Sequence, residues 1–255
     1  MKNTEYTVTV MMSAFNENAA LKETVKIILD TCDHKDLAEI FIFAGKKATP
    51  ECLAALEELK KNEQDVPLTV FHQTYEGPGA NWNEFFDLYK STHFVTVAAD
   101  GELNPYQIHE FIEQSKMQPD YMIVGSRRLD KNGFKNYNLL KKLLNYGAGI
   151  FLRILFLTSR TELTQPFLIA PVEVFRAIKW EEQFHPVFME MLLKPLRLGV
   201  KTTEIPTKWR KRHDGKPNRG NLYFIPYLKT AFRIRFMDKN SILKEGRHIP
   251  EKYIK

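Results

Sequence analysis

Cysteine is nearly absent. Cys32 and Cys52 are the only two, without a CxxC pair or a third and fourth thiol, which excludes a cysteine-built zinc site and a disulfide framework and leaves both expected as reduced thiols. The seven histidines show no HxxxH or HxH spacing that suggests a zinc site. Long apolar runs are also missing. The greasiest stretch, 146–157, is interrupted by Arg153 and falls short of the roughly 20 apolar residues a spanning helix needs. The opening residues carry no apolar core of about 7 to 15 residues behind a basic stretch, so a cytoplasmic location is the expectation. Internal repeats, low-complexity tracts and aromatic RNA-binding strand signatures are lacking, and nucleic acid is not an expected partner.

What remains is a chain of 255 residues, 44% hydrophobic, with a net charge of +6, long enough to bury a sizeable core. The positive charge is uneven. Lys208, Arg210, Lys211, Arg212, Lys216 and Arg219 crowd one segment, and Lys229, Arg233 and Arg235 follow. Such clustering predicts anionic partners, with phosphate groups and an acidic membrane surface both qualifying. Short β-rich apolar runs at 6–13, 39–44, 68–72, 94–98 and 121–124 alternate with helical patterns at 19–31, 50–61, 81–90 and 105–117. That alternation predicts a parallel sheet with crossover helices. Pro50 and Pro105 suit a first helical turn, where a missing N–H costs nothing. Beyond Gly125 the alternation stops: an amphipathic stretch at 139–157 precedes a strand at 167–170, helices at 172–179 and 187–198, and a strand at 200–205. A basic loop spans 207–220.

In a parallel sheet of this kind ligands bind beyond the carboxyl ends of the strands. The fourth strand runs directly into Ala99-Asp100-Gly101-Glu102, so two carboxylates emerge two positions apart where a buried strand ends. Two hard oxygen ligands suit Mg²⁺ or Mn²⁺, with diphosphate oxygens and water completing the shell; a solvated turn before a helix is the alternative. At the end of the first strand, Ser13-Ala14-Phe15-Asn16-Glu17-Asn18 either caps the next helix or contacts a nucleotide.

The first of these segments, Val10 to Asn18, resembles the "PAYNE" strand and turn of the family 2 inverting glycosyltransferases. The likeness continues in order along the chain. Glu76-Gly77-Pro78-Gly79-Ala80 is similar to the family's glycine-rich turn, Ala98-Ala99-Asp100-Gly101-Glu102 stands at its DxD-type metal motif, and Val124-Gly125-Ser126-Arg127 resembles its GSR segment. Thr161-Glu162-Leu163-Thr164-Gln165-Pro166-Phe167 is similar to its acceptor-side TDxTxGF motif. Phe188-Met189-Glu190 and Arg212-His213-Asp214-Gly215 resemble its later helix and RxxGxS loop. Each motif is short; their common order identifies the chain as a member, most similar to the dolichyl- and polyprenyl-phosphate sugar synthases.

The resemblance implies an α/β GT-A fold, a Rossmann-like, mixed but mostly parallel sheet flanked by helices. Residues 1–220 would be the catalytic domain, with 1–125 the nucleotide-sugar half and 126–220 the acceptor half, and 221–255 a basic amphipathic extension. It implies that Asp100 and Glu102 hold the metal, and that Ala14, Phe15, Asn16, Glu17, Ala44, Gly77, Pro78, Gly79, Ala99 and Asp100 surround a UDP- or GDP-sugar. Asp100, Glu162 and Arg212 would act in catalysis. Glu162 would orient or deprotonate an acceptor hydroxyl, or serve positioning alone if the acceptor is a phosphate, which is already ionised. Arg127, Arg128, Arg212 and Lys216 would clamp phosphate, with Glu190 pairing an arginine or shaping the acceptor pocket.

Departures from the family pattern matter equally. Ala44 stands where a base-contacting aspartate is usual, Ala98 at the first acid of the DxD, Glu162 for the aspartate of TDxT, and Lys216-Pro217-Asn218 in place of a serine and lysine. They leave the donor base open and keep a non-catalytic nucleotide- or glycan-binding relative as an alternative. Residues 139–157 are expected either in a membrane interface or against the core, and 223–237 offers a second basic amphipathic surface or an oligomer contact. Peripheral attachment with a polyprenyl-phosphate acceptor, in cell-envelope synthesis, is the leading expectation; a glycan acceptor is the alternative.

Overall fold

The computed structural model describes residues 5–62, 65–135, 139–211 and 224–255. Strands β1 (Val8–Ala14), β2 (Leu37–Ala44), β3 (Leu68–His72), β4 (His93–Ala98), β5 (Met122–Ser126), β6 (Leu168–Pro171) and β7 (Thr202–Pro206) form one sheet, ordered β3-β2-β1-β4-β6-β5-β7. The helices are α1 (Ala19–Thr31), α2 (Pro50–Lys61), α3 (Trp82–Leu88), α4 (Ile108–Met117), α5 (Leu139–Phe156), α6 (Val172–Ala177), α7 (Val187–Arg197) and α8 (Phe224–Phe236).

Central β1 and β4 are buried almost throughout, as strands covered on both faces must be. Helix α1 turns Leu21, Thr24, Val25 and Ile28 inward at helical spacing. Thr49 caps α2 by accepting the Cys52 N–H at 3.3 Å, and Pro50 occupies the first turn. One face of the sheet carries an aliphatic core that includes Cys32 and Cys52. Both thiols are free, and burial pushes the Cys32 thiol up to about 11, keeping it protonated. The opposite face is aromatic, built from Phe41, Phe43, Trp82, Phe85, Phe86, Phe94, Phe175 and Trp180.

Two features depart from a simple alternating reading. Strand β6 runs antiparallel to both β4 and β5, because the long excursion through α5 returns the chain from the opposite end of the sheet. The C-terminal segment is also part of the main core: Ile242, Ile249 and Tyr253 are buried in the aromatic cluster, and the Lys201 N–H donates to the Tyr253 carbonyl at 2.7 Å. Helix α8 places Ala231 and Ile234 against Leu152 of α5 and Met189 and Leu193 of α7. Among the described residues no helix is long and apolar enough to cross a membrane.

Candidate active site

The register Ala14↔Ala44 and Ser13↔Ala98 brings the carboxyl ends of β1, β2 and β4 to one level. There they open on a cleft of about 1390 Å³. Its first wall is a turn closed by Glu17, whose carboxylate accepts the N–H groups of Phe15 (2.8 Å) and Asn16 (3.1 Å). This fixes Phe15 over Gly45, where an added Cβ would stand 3.0 Å from the ring, and leaves an aromatic face toward the cleft. Across from it Lys47 pairs with Glu76 at 2.7 Å. The hydrogen bond from Lys47, helped by its charge, holds the Glu76 carboxyl below the usual range.

At the end of β4 the chain turns through Gly101, whose φ of +71° favours glycine. Asp100, 7% exposed, accepts the Glu102 N–H at 2.9 Å. The Glu102 carbonyl in turn accepts the Arg210 N–H at 3.0 Å, so the turn is fastened to the segment after β7. Both carboxylates line the cleft. No group of three or more His, Cys, Asp or Glu able to hold a metal exists among the described residues; Asp100 and Glu102 are a pair of oxygen donors on the cleft wall. That set fits a hexacoordinate ion such as Mg²⁺, which binds through one or two carboxylates plus substrate phosphates and keeps water in its shell.

Arg127, on the cleft wall, reaches back to Glu162 in a buried bidentate pair, Nε to Oε2 at 2.8 Å and Nη2 to Oε1 at 2.9 Å. Thr164 donates to the same carboxylate through its N–H (3.1 Å) and its hydroxyl (2.9 Å). Burial raises the Glu162 carboxyl, but the charge of Arg127 and these hydrogen bonds outweigh it and hold the group below the ordinary glutamate value. The far walls are apolar: Leu143, Leu144 and Phe151 of α5, Phe188 and Met189 of α7, and Tyr227 and Leu228 of α8.

Residues 9–177 match the model of Glycosyl transferase family 2. The chain belongs to that family. It is similar to the uncharacterized protein MJ1222 of Methanocaldococcus jannaschii, 26% identical over 203 residues that cover 78% of this chain and 79% of that one. It also resembles an undecaprenyl-phosphate mannosyltransferase of Micrococcus luteus, 23% identical over 125 residues, 48% of this chain and 51% of that protein. Among solved structures it resembles glucosyl-3-phosphoglycerate synthase from Mycobacterium tuberculosis in complex with Mn²⁺, uridine diphosphate and phosphoglyceric acid. The TM-score is 0.66 at 12% identity, over 92% of this chain and 80% of that one; the likeness is one of fold.

Within this family 2 chain, the structure brings Ala14, Phe15, Asn16, Glu17, Gly77, Pro78, Ala99, Asp100, Glu102 and Arg127 to the cleft wall. Others lie elsewhere. Ala44 is fully buried, and Gly45, Lys46 and Lys47 face the cleft in its place. A Cβ on Gly77 or Gly79 would collide with the carbonyl of Gln183 or Glu182, so these glycines admit a close backbone crossing within the protein, sealed by the Gly79 N–H to Gln183 O bond at 2.9 Å. Arg128 leaves the cleft to lie along α5, donating to the Asn145 carbonyl at 2.7 Å. Glu162 is engaged with Arg127 behind the wall. Glu190, also fully buried, accepts the N–H groups of Glu181 (3.1 Å) and Glu182 (2.9 Å) and pairs with Lys194 at 2.7 Å; it builds the loop before α7. Arg212 and Lys216 lie outside the described residues. Trp82 and Phe184 line the cleft with no motif pointing to them, while Gln165 and Tyr227, also on its wall, lie inside the 161–167 motif and the 223–237 stretch. Polar or aromatic types beside the glycine turn and inside the 161–167 motif were the available signal.

Proposed function

We propose that the protein transfers a sugar from a nucleotide-sugar donor, with inversion and a divalent metal, to a polyprenyl phosphate at a membrane surface. The observation that carries this reading is the continuity of one cleft from a carboxylate end to an apolar end. Asp100 and Glu102 suit the diphosphate end. The apolar end runs outward onto Leu143 and Leu144, which are exposed on α5 and continuous with Leu139, Ile150 and Ile154 on its surface. A lipid chain can follow that path without leaving apolar surroundings.

Asp100 and Glu102 would hold Mg²⁺ or Mn²⁺, which supplies charge neutralisation as the nucleoside diphosphate departs. Phe15 offers its ring to the base, and the Glu17-tied turn holds that ring in place. Inversion requires the acceptor oxygen in line with the leaving group, and positioning of the two substrates lowers the barrier by removing the entropy cost of that alignment. A phosphate oxygen is already ionised, so this acceptor needs no general base. The placement of Glu162 supports that choice, since a carboxylate locked onto Arg127 and held below its ordinary value is a poor proton acceptor. The mannosyltransferase likeness supports the same acceptor class. In this reading the catalytic unit takes in α8 and the C-terminal segment together with residues 1–220, since Tyr227 and Leu228 line the cleft and Ile242, Ile249 and Tyr253 lie in the core.

The test is transfer of radiolabelled sugar from UDP- and GDP-sugars, with Mn²⁺, to undecaprenyl phosphate in detergent. Label in the solvent-extractable fraction is expected. Label appearing only in an aqueous glycan fraction overturns the lipid acceptor, and no transfer from any donor overturns the activity.

A further inference from the structure

Two buried polar side chains on the cleft wall lack hydrogen-bond partners. Gln165 is 2% exposed, and neither its Nε2 nor its Oε1 meets a partner among the described residues. Trp82, 1% exposed, leaves its indole N–H equally unpaired. Interior polar groups are almost always satisfied, and an apolar residue would fill either place at no such cost. Both residues line the cleft.

Their surroundings are already committed. The Gln165 backbone N–H donates to Glu162 at 3.2 Å. The Thr96 hydroxyl donates to the carbonyls of Pro166 and Leu168 and accepts the Leu168 N–H at 3.1 Å. The Trp82 ring is fixed edge-on against Phe86 and Trp180, at centroid distances of 6.0 and 5.8 Å. Thr96 pairs in register with Met11, and both line the same cleft. Asp100 follows Thr96 by four positions on the same run of chain.

We propose that Gln165 and Trp82 form the subsite that reads hydroxyl groups of the transferred sugar. The inference rests on the nucleotide-sugar reading above. A sugar hydroxyl both donates and accepts; the amide offers the complement of each, and the indole adds one donor. The sugar is bonded directly to the phosphate that Asp100 and Glu102 would face, so it lies within one ring of the end of β4. The apolar walls of α5, α7 and α8 belong to the other substrate. A site built around buried hydrogen-bonding groups rejects a ligand that lacks the matching hydroxyl, because the protein groups then stay unpaired.

The experiment is calorimetric, with Mn²⁺ and no acceptor, which removes any acceptor hydroxyl from the reading. Wild type, Gln165→Leu and Trp82→Phe are titrated with UDP, GDP, UDP-glucose, GDP-mannose and the monodeoxy analogues of both sugars, and their thermal midpoints are measured. Wild type is expected to lose about 10- to 100-fold in affinity for at least one deoxy analogue. Gln165→Leu should bind parent and analogue alike, keep its affinity for the free nucleotide, and melt no lower than wild type. Trp82→Phe, which keeps the ring but not the N–H, should weaken the sugar-bearing ligand alone and stands in if the leucine variant does not fold. Nucleotide binding with undiminished discrimination in both variants, or a wild type that discriminates against no analogue, overturns the subsite. A wild type that binds no nucleotide at all overturns the nucleotide-sugar reading, and the subsite with it.

Discussion

Glu162 shows how far a residue's identity and its surroundings can diverge. The motif around it was legible in the sequence; its partner, 35 positions away, was not, because side-chain pairing across two loops is set by tertiary packing. Replacing it by glutamine leaves the Arg127 guanidinium buried without a counter-charge, and the expected loss of stability is about 3–5 kcal/mol, read from urea unfolding. The pH dependence follows from the direction of its shift. In the folded protein the Glu162 carboxyl lies below the unfolded value, which is about 4.3. Its contribution is therefore complete above that value and is lost as pH falls through the lower, folded one. Urea midpoints should drop across that acidic window in wild type and change less in Glu162→Gln; parallel curves for the two would remove the pair from the account of stability.

At the scale of elements, most of the fold was readable because its signals are local. Helices α1 and α2 begin and end where periodicity and Pro50 place them. The antiparallel course of β6 was not readable, since its residues Leu168–Pro171 are buried throughout and a uniformly apolar run carries no direction. The glycine turn was legible as a turn, but its reason lies in the loop before α7. That loop is gripped from three sides: by the backbone of Gly79, by Glu190 with Lys194, and by Arg233 of α8, which pairs with Glu181 and, at 2.8 Å, with Glu182. Phe184 and His185 on the same loop line the cleft. Gly79→Ala should therefore cost about 1–3 kcal/mol through overpacking, seen as a lower thermal midpoint, and should weaken nucleotide-sugar binding as the loop shifts. A variant with unchanged midpoint and binding would show the crossing to be more accommodating than the geometry implies.

For the whole molecule, the decisive feature is that apolar surface leads out of the cleft. Leu139, Leu143, Ile150 and Ile154 on α5 and Phe224, Ile225, Phe232 and Phe236 on α8 are exposed, with Lys142, Arg153, Lys229 and Arg235 on the same helices. Apolar residues flanked by basic ones bind anionic bilayers by insertion and charge together. Sedimentation with phosphatidylglycerol vesicles should carry the protein down, less so at high salt, and Leu143→Asp with Ile150→Asp should leave it in the supernatant. Equal sedimentation of the double variant would move the contact off α5.

In the proposed reading, one cleft holds a nucleotide donor through a metal at Asp100 and Glu102. Titration of wild type, Asp100→Ala and Glu102→Gln with UDP and GDP, with and without Mn²⁺, tests it most directly. The expected result is binding of one nucleotide to wild type that depends on Mn²⁺, falls at least about 100-fold in Asp100→Ala as the ion's charge is lost from the diphosphate, and weakens in Glu102→Gln. Nucleotide binding of equal strength with and without Mn²⁺, unchanged in both variants, would contradict it.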